Sequence, residues 1–358
     1  MKEAVALARR GLGQVAPNPA VGCVLVREGR ILGRGFTQNG GRPHAETVAL
    51  ADAGAEAARG AAAYVTLEPC SHHGKTPPCA EALIAAGVSR VVSALEDPDP
   101  RVAGAGHRRL RQAGILVDVG IGADAARQVN IGHFTRIAAG RPFVQLKLAV
   151  SEDWKIAARP GEPTAITGPE ARAATHRLRA QADAVLVGQG TWEADDPLLT
   201  CRETGLEQRS PIRIVVDARA ELPARSALVQ SVGEVPLWVV VGKGAPEARR
   251  RALEGLGARI IECPTENGHI DLGCLLGLLG DDGLTRLLVE GGGRIAQSLV
   301  KAGLADELIL LRAAKTLGPG GVPAFGAMSP EDALSGFDLA SKAPLGADRR
   351  FIYLAAKT

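Results

Sequence analysis

One imidazole, two thiols and one carboxylate stand at spacings suited to a metal-dependent hydrolytic centre: Pro43-His44-Ala45-Glu46, then Pro69-Cys70, then Pro78-Cys79. His44, Cys70 and Cys79 are three ligands that suit a tetrahedral Zn²⁺ and leave one position for water. Zinc lowers the pKa of such a water to about 7, which readies it to attack an amidine-like ring carbon. Glu46, two residues after the histidine, is then free to take the water proton and hand it to a departing amine. Such general acid–base work contributes about 10²–10⁴-fold.

H-x-E followed by paired Pro-Cys is the pattern of the zinc-dependent deaminases, in which the glutamate is not a ligand. The interval is unusual. Those enzymes commonly close the pair as C-x-x-C, whereas eight residues, Ser71 to Pro78, separate Cys70 from Cys79 here. The metal tolerates this if the loop returns to it. A closed, non-catalytic zinc site needs a fourth protein ligand. His72 and His73 are available for it, but they lie in a Gly-Lys loop that reads as flexible. Two neighbours read as substrate walls: Asn18, held between Pro17 and Pro19, and Lys75 in the inter-cysteine loop, which suits an anionic group.

The second half carries a different chemistry. Leu287-Leu288-Val289-Glu290 runs into Gly291-Gly292-Gly293 and then into a helix pattern. Glycines allow close backbone approach, and a helix start offers free N–H groups to a phosphate. Gly188-Gln189-Gly190-Thr191 after another apolar run is a second such turn. Two of them at strand ends point to a dinucleotide crevice. Arg179 and Arg202 are candidate phosphate forks or, equally, surface arginines.

These side chains need elements to hold them. In the first half, Val21–Val26 and Ile31–Phe36 flank Glu28-Gly29-Arg30, a hairpin signal. The pattern predicts a helix from His44 to about Ala57, a strand over Ala63–Leu67, and a helix with Pro78 at its first position and Cys79 to about Ala86 following. Arg90–Leu95 and Ile115–Val119 read as strands around a helix over His107–Ala113. His44 and Cys79 would then lie in first helical turns, where the dipole favours a thiolate. The alternation predicts a sheet with helices on both faces. Gly140-Arg141-Pro142 marks a boundary, giving domains 1–141 and 142–358. Beyond it Val144–Val150, Ala184–Val187, Ile212–Val216, Leu237–Val241 and Leu287–Glu290 read as strands, with a helix from about Arg294 to Lys301.

Bulk properties narrow the class. The chain has 358 residues, 46% hydrophobic and 23% charged, enough for two cores. A net charge of +3 does not argue for nucleic acid, and His107-Arg108-Arg109-Leu110-Arg111 and Arg249-Arg250-Arg251 read as solvated helix faces. Of six cysteines, two serve the metal motif. Cys23, Cys201, Cys263 and Cys274 read as small core residues in a reducing, cytoplasmic setting. No signal peptide and no membrane span are read.

At these residues the chain resembles the bifunctional riboflavin-biosynthesis deaminase–reductase family over nearly its whole length. The deaminase half is similar in Pro17-Asn18-Pro19-Ala20-Val21-Gly22-Cys23, Pro43-His44-Ala45-Glu46, Val65-Thr66-Leu67-Glu68-Pro69-Cys70-Ser71-His72 and Thr76-Pro77-Pro78-Cys79, and the reductase half in Leu178-Arg179-Ala180, Asp195-Asp196-Pro197-Leu198-Leu199-Thr200 and Val289-Glu290-Gly291-Gly292-Gly293. The resemblance implies an α/β chain: a cytidine-deaminase-like three-layer domain followed by a dihydrofolate-reductase-like domain. It implies deamination of a diaminopyrimidinone bearing a phosphoribosylamino arm, then reduction of the ribosyl group to ribityl with NADPH. It assigns Zn²⁺ to His44, Cys70 and Cys79, and proton transfer to Glu46. NADPH falls to Ala149, Ala165, Thr191, Asp195, Ala218, Gly292, Gly293, Arg294, Ile295, Ala296, Gln297 and Ser298. Substrate falls to Pro163, Arg179, Leu199, Arg202 and Glu290, beside Asn18 and Lys75. A homo-oligomer is expected, with neither nucleic acid nor membrane as partner. A lone deaminase with a regulatory nucleotide-binding second domain is the alternative.

The chain departs from that family at a few places. Ser151-Glu152-Asp153-Trp154 stands where Ser-Leu-Asp-Gly is common, Pro163 and Ala165 where a serine and a tryptophan are common, and Thr37 where a histidine often precedes the H-x-E. A tryptophan in a glycine's place implies either a rearranged turn with the indole at the surface, or a ring that lines the crevice and slows the reductase.

Overall fold

The computed structural model describes residues 1–71 and 77–356. The chain divides into two compact units, Met1–Arg141 and Pro142–Thr358, each with its own hydrophobic core. Among the described residues no helix is long and apolar enough to cross a membrane.

In chain order the first unit contains α1 (Lys2–Arg9), β1 (Gly22–Arg27), β2 (Arg30–Phe36), α2 (Ala45–Ala53), α3 (Ala55–Ala58), β3 (Ala62–Val65) and α4 (Cys79–Ala85). It continues with β4 (Arg90–Ser93), α5 (Ala105–Gln112), β5 (Leu116–Val119), α6 (Ala123–Val129) and α7 (Ile131–Ala139). The sheet order is β2-β1-β3-β4-β5. β1 and β2 form the expected hairpin, its two-residue turn carrying positive φ at both Glu28 and Gly29. That is the turn whose twist suits flanking strands. β3, β4 and β5 are parallel, so their C-terminal ends share one edge.

Glycines let the helices lie directly on this sheet. A Cβ on Gly22 would meet the Ala4 carbonyl at 1.9 Å, and one on Gly35 would meet the Ala45 carbonyl at 2.1 Å. Gly35 pairs with Cys23, the neighbour of Gly22, so alternation along β1 puts α1 and α2 on opposite faces. The expected helix over 44–57 is broken at Gly54, whose φ of 80° lies outside the helical region and separates α2 from α3. Pro78 is the residue that caps α4, and Cys79 is its first helical residue, one place later than the sequence pattern predicts.

The second unit contains β6 (Phe143–Val150), β7 (Lys155–Ala157), α8 (Pro169–Gln181), β8 (Ala184–Gly188), α9 (Gln189–Asp195), β9 (Ile212–Val216) and α10 (Ala227–Gln230). Then come β10 (Leu237–Gly242), α11 (Glu247–Gly255), β11 (Arg259–Cys263), β12 (Thr265–Glu266), β13 (His269–Ile270), α12 (Leu272–Asp281) and β14 (Arg286–Val289). α13 (Gly293–Lys301), β15 (Glu307–Arg312), β16 (Val322–Pro323), α14 (Pro330–Leu334), β17 (Phe337–Leu345) and β18 (Asp348–Ala355) complete it. Its main sheet has nine strands, ordered β11-β10-β9-β8-β14-β6-β15-β18-β17. The strands from β11 to β15 in that order are mutually parallel, β18 runs antiparallel to β15, and β17 runs antiparallel to β18. The apolar runs of β8 and β14 are buried throughout, as a parallel sheet covered on both faces requires.

Arg108, Arg109, Arg249 and Arg251 do lie on solvated faces, but His107 does not: it is buried on the core side of α5. Cys23, Cys201 and Cys263 are buried, Cys274 is half-buried, and all six cysteines are free thiols.

The Gly35 contact makes a testable demand. Gly35→Ala should lower the thermal midpoint of the first unit, with a cost of about 1–3 kcal/mol from overpacking. An unchanged midpoint in calorimetry would show that α2 does not press on β2 this closely.

Candidate active sites

The loop after β3 and the starts of α2 and α4 bring the metal residues together. His44 is the N-cap residue of α2, and Cys79 opens α4. Cys70 Sγ lies 3.6 Å and Cys79 Sγ 3.3 Å from His44 Nδ1. All three ligand atoms fall within 4.8 Å of one another. A tetrahedron with Zn–S about 2.3 Å and Zn–N about 2.0 Å has S···N edges of about 3.5 Å, so the donor set fits that ion. The amide of Cys79 donates to Cys70 Sγ at 3.3 Å, and the amide of Ala80 to the Cys70 carbonyl at 3.1 Å. The Cys79 thiol, with the imidazole, draws the Cys70 thiol down to about 4.

Glu46 is buried beside this group. Burial, reinforced by the negative Cys70, pushes its carboxyl up to about 7, a range in which it both accepts and gives a proton. Asn18 packs against Gly41, three residues before His44: a Cβ there would sit 1.9 Å from Asn18 Nδ2. Gly41 itself has φ of 82°, so both the space and the backbone require glycine. Thr37, where a histidine is common, is buried and accepts the Val21 amide at 3.0 Å, which makes it part of the scaffold. Lys75, His72 and His73 lie outside the described residues.

In the second unit the two glycine turns meet. Both begin helices at the C-terminal edge of the parallel strands, α9 after β8 and α13 after β14. Thr191 Oγ1 lies 3.7 Å from where a Cβ on Gly292 would sit, and a guanidinium nitrogen of Arg294 lies 3.8 Å from the same point on Gly190. The two helix N-termini are therefore neighbours at the strand ends, an arrangement suited to a pyrophosphate. Ala149 and Ala218 stand near the C-terminal ends of β6 and β9. Asp195 ends α9 and is exposed, as are Pro163 and Ala165. Within 292–298, Arg294 and Ser298 face solvent, whereas Ala296 is fully buried on the core side of α13.

Arg179 is no surface arginine. It is buried and grips Glu290 with two bonds, 2.6 and 3.0 Å, while donating to the Thr200 carbonyl at 2.9 Å. Lys147 Nζ approaches the same carboxylate at 3.8 Å. Burial opposes ionisation of Glu290, but Arg179 and Lys147 outweigh it and hold its pKa below the usual range. Lys147 escaped the sequence reading, although a single lysine in the otherwise uncharged run Phe143–Val150 was a visible signal. Arg202 is exposed: its amide donates to His176 Nδ1 at 3.2 Å and its guanidinium to Thr200 Oγ1 at 3.2 Å, so the fork keeps further donors for an anion. Leu199 is buried, with φ of 55°.

Trp154 does not follow the expectation of a rearranged turn with the indole at the surface. The turn has not rearranged: Trp154 keeps φ of 59°, the left-handed region its position favours. Its amide donates to the Ser151 carbonyl at 3.1 Å, and Asp153 beside it accepts the amides of Leu317 and Gly318 at 2.9 and 2.8 Å. Those bonds fix the backbone despite the bulky residue. The indole is half-buried, 6.3 Å from the Phe325 ring and 4.9 Å beneath the Arg312 guanidinium.

The profile described as "Cytidine and deoxycytidylate deaminase zinc-binding region" matches residues 1–95, and that of the RibD C-terminal domain matches residues 142–341. The riboflavin biosynthesis protein RibD of Escherichia coli is 45% identical over 329 residues, covering 89% of this chain and 88% of its own. The solved structure of Acinetobacter baumannii RibD superposes with a TM-score of 0.89 at 37% identity, over 99% of this chain and 98% of that one. A Thermotoga maritima structure described as a diaminohydroxyphosphoribosylaminopyrimidine deaminase/5-amino-6-(5-phosphoribosylamino)uracil reductase gives a TM-score of 0.86 at 31% identity, over 99% and 97%.

Trp154→Gly weighs two effects of opposite sign. Relief of left-handed strain returns about 1–2 kcal/mol. Loss of the half-buried indole and its cation–π contact costs about 2–4 kcal/mol. A lower thermal midpoint of the second unit is expected, and a higher one would show that strain outweighs packing here.

Proposed function

The chain belongs to the RibD family of riboflavin biosynthesis proteins, and from that premise we propose how its residues divide two consecutive reactions. The first is zinc-dependent hydrolytic deamination of 2,5-diamino-6-(5-phosphoribosylamino)pyrimidin-4-one. The second is NADPH-dependent reduction of the ribosyl side chain, giving 5-amino-6-(5-phosphoribitylamino)uracil. Residues 1–141 carry the first and 142–358 the second.

His44, Cys70 and Cys79 hold the zinc, which supplies Lewis-acid activation of water. Glu46 takes up a proton on its carboxylate and delivers it to the leaving amino group. Its burial excludes bulk water and keeps its proton affinity near neutrality. Asn18 bounds the pyrimidine, and Lys75 meets the phosphate of the arm.

In the second unit NADPH supplies the reducing equivalents. The neighbouring starts of α9 and α13 hold its pyrophosphate through backbone N–H groups, with Thr191, Gly292, Gly293 and Arg294 at the contact and Ala149, Ala165, Asp195 and Ala218 along the strand ends. Ile295, Gln297 and Ser298 continue that wall, and Ala296 acts through core packing. Arg202 receives the substrate phosphate, over Leu199 and beside Pro163. Arg179 and Lys147 hold Glu290 ionised at the edge of the crevice. The cytoplasm is the proposed location and a homo-oligomer, dimer or tetramer, the proposed assembly.

The observation that carries this reading is the convergence of one imidazole nitrogen and two sulfurs beside a buried glutamate, in a chain whose second unit separately sets two glycine-bearing helix starts side by side. A lone deaminase with a regulatory second domain is not favoured, because the reductase-family match spans most of that unit.

Incubation with the diaminopyrimidinone phosphate should give a deaminated product alone, and the ribityl product once NADPH is added, as read by mass analysis. Deamination without any NADPH consumption would leave only the lone deaminase. Glu46→Gln should keep near-stoichiometric zinc and lose at least 10²-fold in deaminase turnover while reduction of deaminated substrate persists. If that variant is isolated without zinc, Glu46 is a ligand and its role here is wrong.

A further inference from the structure

Two residues before Cys70, Glu68 is buried with no role in the chemistry above. Its carboxylate accepts four backbone amides. Oε1 takes Gly106 at 2.8 Å and His107 at 3.2 Å, and Oε2 takes Gly104 at 2.9 Å and Asp97 at 3.2 Å. Gly104 is the N-cap position of α5, and Gly106 and His107 lie in its first turn. A glycine has no side chain with which to cap those amides, and α5 has no cap of its own. Glu68 supplies one from 36 residues away and sets a negative charge on the positive end of the helix dipole.

The same contact closes the space around the zinc loop. A Cβ on Gly106 would sit 2.0 Å from the Pro69 carbonyl, so the start of α5 lies flush against the residue preceding Cys70. Cys70 is thus held from two sides: by the amides of Cys79 and Ala80 at the start of α4, and through Glu68 and Pro69 by the start of α5. Glu68, Glu96 and His107 also bring ligand atoms within 4.8 Å of one another. Both Glu68 oxygens are occupied by amide donors, however, which marks a fixed anion and not a cation site.

We infer that Glu68 is a positioning residue for the deaminase: by capping α5 it fixes the loop that presents Cys70 to zinc. The inference rests on the assignment of Cys70 as a zinc ligand. Supports behind metal ligands commonly alter metal affinity by about 10–100-fold when removed. An amide in place of the carboxylate turns one acceptor into a donor that faces two amide donors, so the cap is half lost and one side repels.

The test compares zinc dissociation constants, by chelator competition, for the full-length wild type, Glu68→Gln, Glu68→Asp and Leu25→Ala. Leu25 is fully buried in β1 of the same unit and touches none of these bonds, so it reports general destabilisation. Glu68→Gln should weaken zinc binding by about 10–100-fold. Glu68→Asp, which keeps the charge, should recover part of it, and Leu25→Ala should lower the thermal midpoint with zinc affinity unchanged. Reductase turnover should be unchanged in the Glu68 variants. Wild-type zinc affinity in Glu68→Gln, or a loss of affinity in Leu25→Ala matching its loss of stability, would overturn the inference while leaving the zinc assignment intact. A wild type that binds no zinc would overturn the assignment itself. Should Glu68→Gln be insoluble, Gly106→Ala, which forces α5 off Pro69 with Glu68 intact, must weaken zinc binding in the same way or the inference fails.

Discussion

The first unit is organised by the placement of negative groups at the starts of helices. Glu46 lies in the first turn of α2, Cys70 Sγ accepts the first amide of α4, and Glu68 caps α5 from outside it. Buried anions are costly unless paired or hydrogen-bonded, by several kcal/mol each after relaxation. Helix starts supply the missing donors as backbone N–H groups that no side chain need provide. The parallel strands β3 and β4 make this geometry available, because each hands its chain to the same edge of the sheet, where the next helix begins. Two thiols, an imidazole and a proton-carrying carboxylate can then share a small volume before any metal is considered.

The second unit solves a related problem with side chains as well. Its crevice also lies at strand C-terminal ends and between helix starts, which suits a dinucleotide's phosphates. Beside it, Glu290 is buried and must be balanced within the protein. Arg179 does so with a bidentate grip, and Lys147 adds a second cation that burial pulls toward neutrality. Removing Glu290 would leave two buried cations uncompensated, whereas removing either cation leaves one ion pair.

Much of the zinc site was legible in the sequence, because its residue types are rare and its flanking prolines and glycines announce loops and helix starts. The glycine turns were legible for the same reason. Less was visible where a role depends on distant partners. Glu68 reads as one more residue of a motif until the amides of residues 97–107 are seen to surround it. His107 sits in a basic run yet faces the core, since only the packing of α5 decides which face is covered. The helix over 44–57 was drawn too long because alanine runs favour helix whether or not Gly54 breaks it. Trp154 could not be placed from type alone: its left-handed turn adjoins Asp153, whose carboxylate takes amides of Leu317 and Gly318 more than 160 residues on. The hairpin of β17 and β18 drew no reading, since β17 is an edge strand, mostly exposed, and lacks the apolar run that marked the central strands.

X-ray absorption at the zinc edge tests the central claim most directly, because it counts the atoms around the metal without assuming a reaction. Two sulfur atoms at about 2.3 Å and two lighter atoms at about 2.0 Å, one of them imidazole nitrogen, are the predicted shell. A shell with three or four sulfurs, or with two imidazoles and no light-atom position left for water, would contradict a catalytic site built from His44, Cys70 and Cys79.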